Sequence, residues 1–396
     1  MKHRLTISMM VLAVAVELWA TGAAFAAADA QPFAKWFKYA PEMSRQWEIA
    51  GDAANPLQVS VKNNLKQGKL RKVLVLYPRA SSAYDIAITQ ILQVFSNKDI
   101  NAEFVVVNFE LDDARGKTIM RRAEKEGYEL VFAMGSESAA WLYNNYKNGV
   151  LPVVTVCSKD PVLLGQMKDY ESGSGSNFAF TSLNVPIEVQ MAYVRELRPR
   201  LKNIAILVDA KNISAVQTQA EPIAAYGKDK GIQIIWGSVN NPEKAREELE
   251  QIVPQAVAKM RLNDPGLNES LFWITGSTSV FREIKTINQF SDRVPVVSAV
   301  PEIVKAGADT AALGVGVSFE SNGRLAGIYG AKVLAGAKAG TLKVGVVSPP
   351  DMAISFRKTK EIGLRVPFSI FEIASFVYDY EGNAVRRAKS AAEASN

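Results

Sequence analysis

The stretch that decides the fold is Leu130–Ala140, LVFAMGSESAA. An apolar run, Leu130 to Met134, stops at Gly135. Ser136, Glu137 and Ser138 follow, and then the helical pattern Ala139-Ala140-Trp141-Leu142. This is the signature of a buried strand, a glycine turn and a helix N-terminus carrying hydroxyls. Such a turn leaves backbone N–H groups free at the carboxyl edge of a sheet, where a small anion can dock. The stretch has an echo in Leu271–Phe281, LFWITGSTSVF. Pro152-Val153-Val154 follows the first copy and Pro295-Val296-Val297 the second. Two βα units of like pattern, each followed by a PVV strand, imply two similar lobes facing one another.

Composition narrows the chemistry. A chain of 396 residues that is 48% hydrophobic holds material for one large two-lobed unit or two domains. Lys2, His3 and Arg4 precede an apolar stretch from Leu5 to Phe25, and Ala24-Phe25-Ala26 forms a small-x-small cleavage site. This predicts a secretory signal peptide over residues 1–26 rather than an anchor, and no cysteine near the site allows lipid attachment. The single histidine, His3, leaves with that leader, which excludes His-based triads, metal sites and imidazole acid–base chemistry. The single cysteine, Cys157, excludes an internal disulfide and a Cys cluster. No metal and no cofactor are expected. Basic residues are dispersed, so no nucleic-acid partner is expected either.

Residues 27–70 read as an extension. Phe33, Trp36, Phe37, Tyr39 and Trp47 serve as anchors of a short helix packed on the body, and Asp52–Pro56 as a linker; an interaction arm is the alternative. Strands then alternate with helices. Lys72–Tyr77, Glu103–Phe109, Leu130–Met134 and Val153–Cys157 are the first set of strands. Asn203–Val208, Ile232–Trp236, Leu271–Thr275 and Val294–Ala299 are the second. This rhythm predicts an α/β protein of two doubly wound parallel-sheet lobes. The pattern also predicts one helix over Ala215–Gly231, a strand over Leu342–Val347, a helix over Pro367–Tyr380 and a frayed tail over 381–396. The small residues of Glu320–Leu334 point to close packing. Gly314 and Gly316 lack a third glycine and are not a dinucleotide fingerprint.

Several motifs in order resemble a known family. They are Gly135-Ser136-Glu137-Ser138-Ala139-Ala140, Asp160-Pro161-Val162, Ser176-Asn177, Leu197-Arg198-Pro199, Gly327 with Ala331–Gly336, and Ile362–Pro367. The chain from about Leu70 to Tyr380 is similar to the type I (class B) periplasmic solute-binding proteins of ABC importers, in the "ABC transporter substrate-binding protein" branch. Glu137 stands where the family usually has proline, and Lys159 where a small hydroxyl residue is usual. The resemblance implies a periplasmic-binding-protein-like I fold with a hinge. Lobe I would span 71–182 plus 319–346, and lobe II 183–318 plus 347–380. It implies a ligand in the interlobe cleft, touched by Ser81, Ser82 and Tyr84, by Ser136, Glu137 and Ser138, and by Ser158, Lys159 and Asp160. From the facing lobe come Asp209, Lys211 and Asn212, then Gly276, Ser277 and Thr278.

Each of these residues also has a plainer reading. Ser136 and Ser277 fit as N-caps, Glu137 as a first-turn acid, and Lys159 as a solvated loop lysine. Cys157, Trp141 and Trp273 fit as core. Helix-dipole terms supply only about 0.3–2 kcal/mol each. A micromolar ligand needs about 8 kcal/mol, so several loops must cooperate. The resulting expectation is a monomeric periplasmic receptor for a small amino-acid-like solute, with its ammonium near Glu137 and its carboxylate on turn N–H groups or Lys159. Its partner would be the membrane permease of an ABC importer, with no membrane insertion of its own and no enzymatic activity. The alternative is a sensor for a membrane kinase or chemoreceptor that docks through residues 27–70.

Overall fold

The computed structural model describes residues 32–64 and 67–386. The expected signal peptide and the end of the expected tail lie outside them. The chain builds two sheets. The first has the order β1-β2-β4-β3-β5-β6-β7, from β1 (Trp47–Asp52), β2 (Asn55–Asn63), β3 (Arg71–Tyr77), β4 (Ala102–Asn108), β5 (Leu130–Met134), β6 (Val153–Val156) and β7 (Phe178–Ala179). The second has the order β15-β14-β13-β12-β11-β10-β8-β9. Its strands are β8 (Asn203–Asp209), β9 (Gln233–Val239), β10 (Ser270–Ile274), β11 (Val296–Ser298), β12 (Leu313–Gly316), β13 (Asp351–Ser355), β14 (Phe376–Tyr378) and β15 (Ala384–Arg386).

The central strands are parallel because each is followed by a helix. In lobe I these are α1 (Ser82–Asn97), α2 (Asp113–Lys125) and α3 (Gly135–Tyr146). Their apolar runs are buried on both faces, as a covered parallel sheet requires. Val73, Val75 and Tyr77 of β3 join one core, and Leu74 and Leu76 join the other. In β10, Leu271 and Trp273 face one side, and Phe272 and Ile274 the opposite one.

Strand order places a switch point in each lobe. The connection from β3 goes to β4 on one side, and the chain then returns to β5 on the other. Lobe II repeats this with β8, β9 and β10. A crevice opens between the carboxyl ends of strands whose connections diverge. Both echo stretches, Leu130–Ala140 and Leu271–Phe281, border such a crevice.

The chain crosses between lobes three times: between β7 and α4 (Ile187–Leu197), between β12 and α10 (Phe319–Leu334), and between α10 and β13. Helix α10 lies on α1, β5 and β6 of lobe I. Its small face lets it approach closely, so that a Cβ on Gly323 would sit 2.7 Å from the Ala87 backbone. Asn322 on this helix stitches the crossings. Its Oδ1 accepts the Cys157 N–H at 2.7 Å, and its Nδ2 donates to the Ser182 carbonyl at 3.2 Å.

Four expectations are corrected. Residues 47–63 form an antiparallel hairpin, not a helix and linker, and β2 adds antiparallel to β4. The aromatic anchors do pack, with Trp36, Phe37 and Trp47 buried in the lobe I core. Residues 342–347 form no strand beyond a bridge from Gly345 to Thr181, because a 3₁₀ turn at Ala339–Thr341 and Pro349-Pro350 bracket them. The helix expected over 367–380 stops at Ile373 as α12 (Phe368–Ile373), followed by β14, and part of the expected tail pairs with it as β15. The helix expected over 215–231 is broken into α5 (Ile213–Ala215), a π-turn at Val216–Ala220 and α6 (Glu221–Asp229). The sheets are therefore mixed, with antiparallel edges on parallel centres.

Candidate functional site

The two crevices face each other across a cleft of about 1140 Å³. At its base lies a recess of about 70 Å³ that shares Arg79, Tyr84, Ser136, Glu137, Asn212 and Thr278 with the cleft above.

Pro78 ends β3 and the loop turns outward. Arg79, Ser81 and Tyr84 line the cleft, while Ser82 is exposed at the start of α1 and lies off it. Ser81 caps α1, its Oγ accepting the Ala83 N–H at 3.3 Å. The Tyr84 ring packs edge-on to Tyr77 with centroids 5.3 Å apart. Its phenol presses on the turn after β5, where Gly135 has φ +77° and a Cβ would meet the Tyr84 hydroxyl at 2.1 Å. Only glycine fits that position.

Helix α3 starts at Gly135 with no side chain capping its N-terminus. Ser136 and Glu137 face the cleft. Ser138 does not: it is fully buried, and its hydroxyl donates to the Leu76 carbonyl at 3.1 Å. Glu137 is ion-paired with Arg79 at 3.0 Å. Burial raises the Glu137 carboxyl above its ordinary range, opposed by Arg79.

After β6, Cys157 takes φ +52°, which turns successive side chains to opposite fates. Ser158 points into the protein, where its hydroxyl has no hydrogen-bond partner, and Asp160 also turns away. Asp160 caps a turn by accepting the N–H groups of Val162 and Leu163 at 2.8 and 3.0 Å, and it accepts the Tyr170 hydroxyl at 2.6 Å. Lys159 enters the recess. Its backbone N–H donates to Ser136 Oγ at 2.9 Å, and burial pushes its ammonium down to about 8. Cys157 lines the recess as a buried thiol held well above its usual range by burial.

From lobe II, Asp209 borders the cleft with Oδ2 accepting the Ser279 hydroxyl at 2.8 Å and Oδ1 accepting the Lys211 N–H at 2.9 Å. Lys211 is beside it. Asn212 caps α5 through the Ala215 N–H at 3.2 Å and lines both spaces. Gly276 lines the recess and Thr278 both spaces, whereas Ser277 is buried, accepting the Asp209 N–H at 3.3 Å. Trp273 is fully buried, and Trp141 donates to Asp113 at 3.1 Å.

The expected set thus divides. Ser81, Tyr84, Ser136, Glu137, Lys159, Asp209, Lys211, Asn212, Gly276 and Thr278 come together at the cleft. Ser82, Ser138, Ser158, Asp160 and Ser277 do not line it: hydrogen bonds claim the side chains of Ser138, Asp160 and Ser277, Ser158 is buried with its hydroxyl unpartnered, and Ser82 is turned out by the helix. Sequence reasoning missed Arg79, Ser214, Phe281 and Phe319, and the Arg246 and Arg282 side chains at the rim. Arg79 takes its place at the site through its pairing with the distant Glu137. Phe319 arrives from a distant crossing, which no local pattern reveals. Among the described residues, no group of three His, Cys, Asp or Glu side chains is arranged to hold a metal ion. No helix among them is long and apolar enough to cross a membrane.

The sequence model of a family described as ABC transporter substrate binding protein matches residues 87–377. Solved structures share the fold. One is an ABC domain from Streptococcus pneumonia in complex with L-Trp, at 20% identity and TM-score 0.60, covering 78% of this chain and 100% of that one. Another is a conserved domain protein from Vibrio cholerae, at 19% identity and TM-score 0.62, covering 78% and 100%. A third is a ligand-free, open substrate binding protein with adhesive properties from Clostridium difficile, at 17% identity and TM-score 0.59, covering 79% and 99%. No curated protein sequence matches the chain.

Proposed function

The chain belongs to the ABC transporter substrate binding protein family, and from that premise we propose that it is a periplasmic receptor. In this reading it captures a small polar, amino-acid-like solute between its lobes and hands it to the membrane permease of an ABC importer. It is exported by a signal peptide over residues 1–26 and acts as a monomer without catalysis. The observation that carries the reading is the pairing of two switch-point crevices across one polar cleft, each supplying its βα loops. A solute touching both lobes stabilises their approach, and hinge closure follows from contacts that exist only when both are engaged. Tyr84, Ser136, Glu137, Lys159, Asn212 and Thr278 are the proposed contacts shared by both lobes' loops. The L-Trp complex of the streptococcal relative supports an amino acid as the kind of solute to try first.

A thermal-shift screen of amino acids, organic acids and nucleosides tests it. A ligand at about 100 Kd adds about 2.7 kcal/mol of stability. A protein whose melting temperature no solute raises is not such a receptor. In the sensor alternative the docking segment would be residues 27–70, of which 47–63 are strands of the lobe I sheet.

A further inference from the structure

The recess contains an ammonium without an anion. Lys159 is 6% exposed, and its Nζ makes no ion pair and no hydrogen bond among the described residues. The chain of methylenes reaches from lobe I to lobe II, where a Cβ on Gly276 would lie 2.1 Å from Nζ. The carboxylate in the recess wall, Glu137, is already engaged by Arg79 at 3.0 Å. Helix α3, twelve residues long, opens on the same space with its first N–H groups uncapped by any side chain. Those groups add partial positive charge. On the facing turn the Gly276 N–H is already donated to Gln219 Oε1 at 2.6 Å, and the lobe II side chains that line the recess, among them Asn212, Ser214 and Thr278, are neutral. A largely buried cation with no partner is unfavourable, and pairing it with an anion is correspondingly favourable.

We propose that this recess is a carboxylate-binding subsite, in which the ligand's carboxylate pairs with Lys159 and the N-terminus of α3, so that the protein selects solutes by an anionic head group and not by an amino group. The inference rests on the receptor reading and names the chemical class that receptor takes. Its geometry separates head from body: the recess of about 70 Å³ admits a small charged group, and the cleft of about 1140 Å³ takes the remainder. With Arg79 paired to Glu137 at 3.0 Å, the carboxylate rather than the ammonium is the recognised group in this proposal, an alternative to the zwitterion arrangement expected from sequence. Because Lys159 starts in one lobe and ends against the other, a carboxylate bound to it touches both at once.

The test uses the full chain, Lys159→Met and Lys159→Arg, with formate as the minimal probe against sodium chloride at equal ionic strength. Each of the twenty L-amino acids is also compared with its C-terminal amide and its deamino acid. Formate is expected to raise the melting temperature of the wild type and of Lys159→Arg, and not of Lys159→Met. Any amino acid that binds is expected to lose about thirtyfold or more in affinity on conversion to its amide or on Lys159→Met. Its deamino acid is expected to bind within a few-fold. Equal formate responses in wild type and Lys159→Met, or no formate response in the wild type, overturn the subsite. So does an amide that binds like its acid. A screen in which no solute binds but formate still discriminates Lys159→Met sinks the amino-acid-like receptor reading and leaves the anion subsite standing.

Discussion

Gly135-Ser136-Glu137-Ser138 and Gly276-Ser277-Thr278-Ser279 carry nearly the same residues at the same place in each lobe, yet they present different atoms to the cleft. In lobe I the helix begins at the glycine itself, so Ser136 and Glu137 face outward and Ser138 turns to the Leu76 carbonyl. In lobe II, α8 (Thr278–Phe281) begins two residues later with Ser277 at the N-cap position. The phase therefore shifts by one, with Ser277 buried and Thr278 and Ser279 outward. The glycines differ in the same way. Gly135 holds φ +77° against a tyrosine ring, whereas the space over Gly276 is filled by the flexible end of Lys159. One turn is a rigid backbone feature; the other is a seat for a side chain from across the cleft.

Alanine at the two glycines breaks the comparison most sharply. Gly135→Ala imposes a left-handed residue and drives a Cβ into the Tyr84 ring, for a combined cost of about 3–4 kcal/mol. Gly276→Ala displaces the flexible end of Lys159 and presses lightly on Gln219 Oε1 at 3.3 Å, and its effect on stability is expected to stay under about 1 kcal/mol. Denaturant titrations of both variants measure the difference. Equal losses would mean that the lobe II turn is as constrained as its counterpart.

Next in size is the charge at Lys159, which only lobe I supplies. Its ammonium is lowered to about 8 from 10.5 by burial, so between these values the unfolded chain holds the proton that the folded chain has released. Stability therefore rises with pH across that window, and the full penalty is present below pH 8. Its size is about 3 kcal/mol. Ligand-free Lys159→Met is expected to melt above the wild type at pH 7, with the gap closing towards pH 10.5. A gap independent of pH would show that the side chain is hydrated or already paired.

A smaller effect separates buried from cleft-facing hydroxyls. Ser138→Ala and Ser277→Ala each remove a buried hydrogen bond and are expected to cost about 1 kcal/mol. Ligand affinity should be unaltered. Ser136→Ala and Thr278→Ala are expected to do the reverse, changing affinity more than stability. Isothermal titration and melting curves on the four variants give both readouts, and an affinity loss in Ser277→Ala would contradict the phase shift.

The two-lobed architecture was legible because strands buried on both faces write continuous apolar runs, as in Val73–Tyr77 and Leu271–Ile274. The repeated glycine turn marked the switch point in each lobe. What was illegible depended on neighbours far away in sequence. Asp52–Pro56, within the hairpin at 47–63, read as a linker because Asp52, Asn55 and Pro56 are turn residues, and β2 shows its strand character only beside β4. Ser136 and Ser138 are chemically identical, so only the helix start decides which one faces the ligand space. Lys159 looked like a loop lysine until the Cys157 backbone at φ +52° turned it inward. Arg79 went unnoticed because its meaning comes from Glu137, fifty-eight positions on, with which it pairs at 3.0 Å.

That pair gives the smallest expected effect and the finest cut between the lobes. Glu137 and Arg79 are both more than a third exposed, at 37% and 56% of their side-chain surface, so their mutual attraction is screened by water. Glu137→Gln is expected to change stability by no more than about 0.5 kcal/mol. Its consequence lies in charge balance: releasing Arg79 adds a second unpaired cation at the mouth of the recess. Formate and amino-acid carboxylates should then bind as tightly as to wild type or tighter, because the site becomes more positive without losing Lys159. A variant that instead weakened amino acids while sparing their deamino acids would place the ligand ammonium on Glu137, and Arg79 would then be the group displaced when the lobes close.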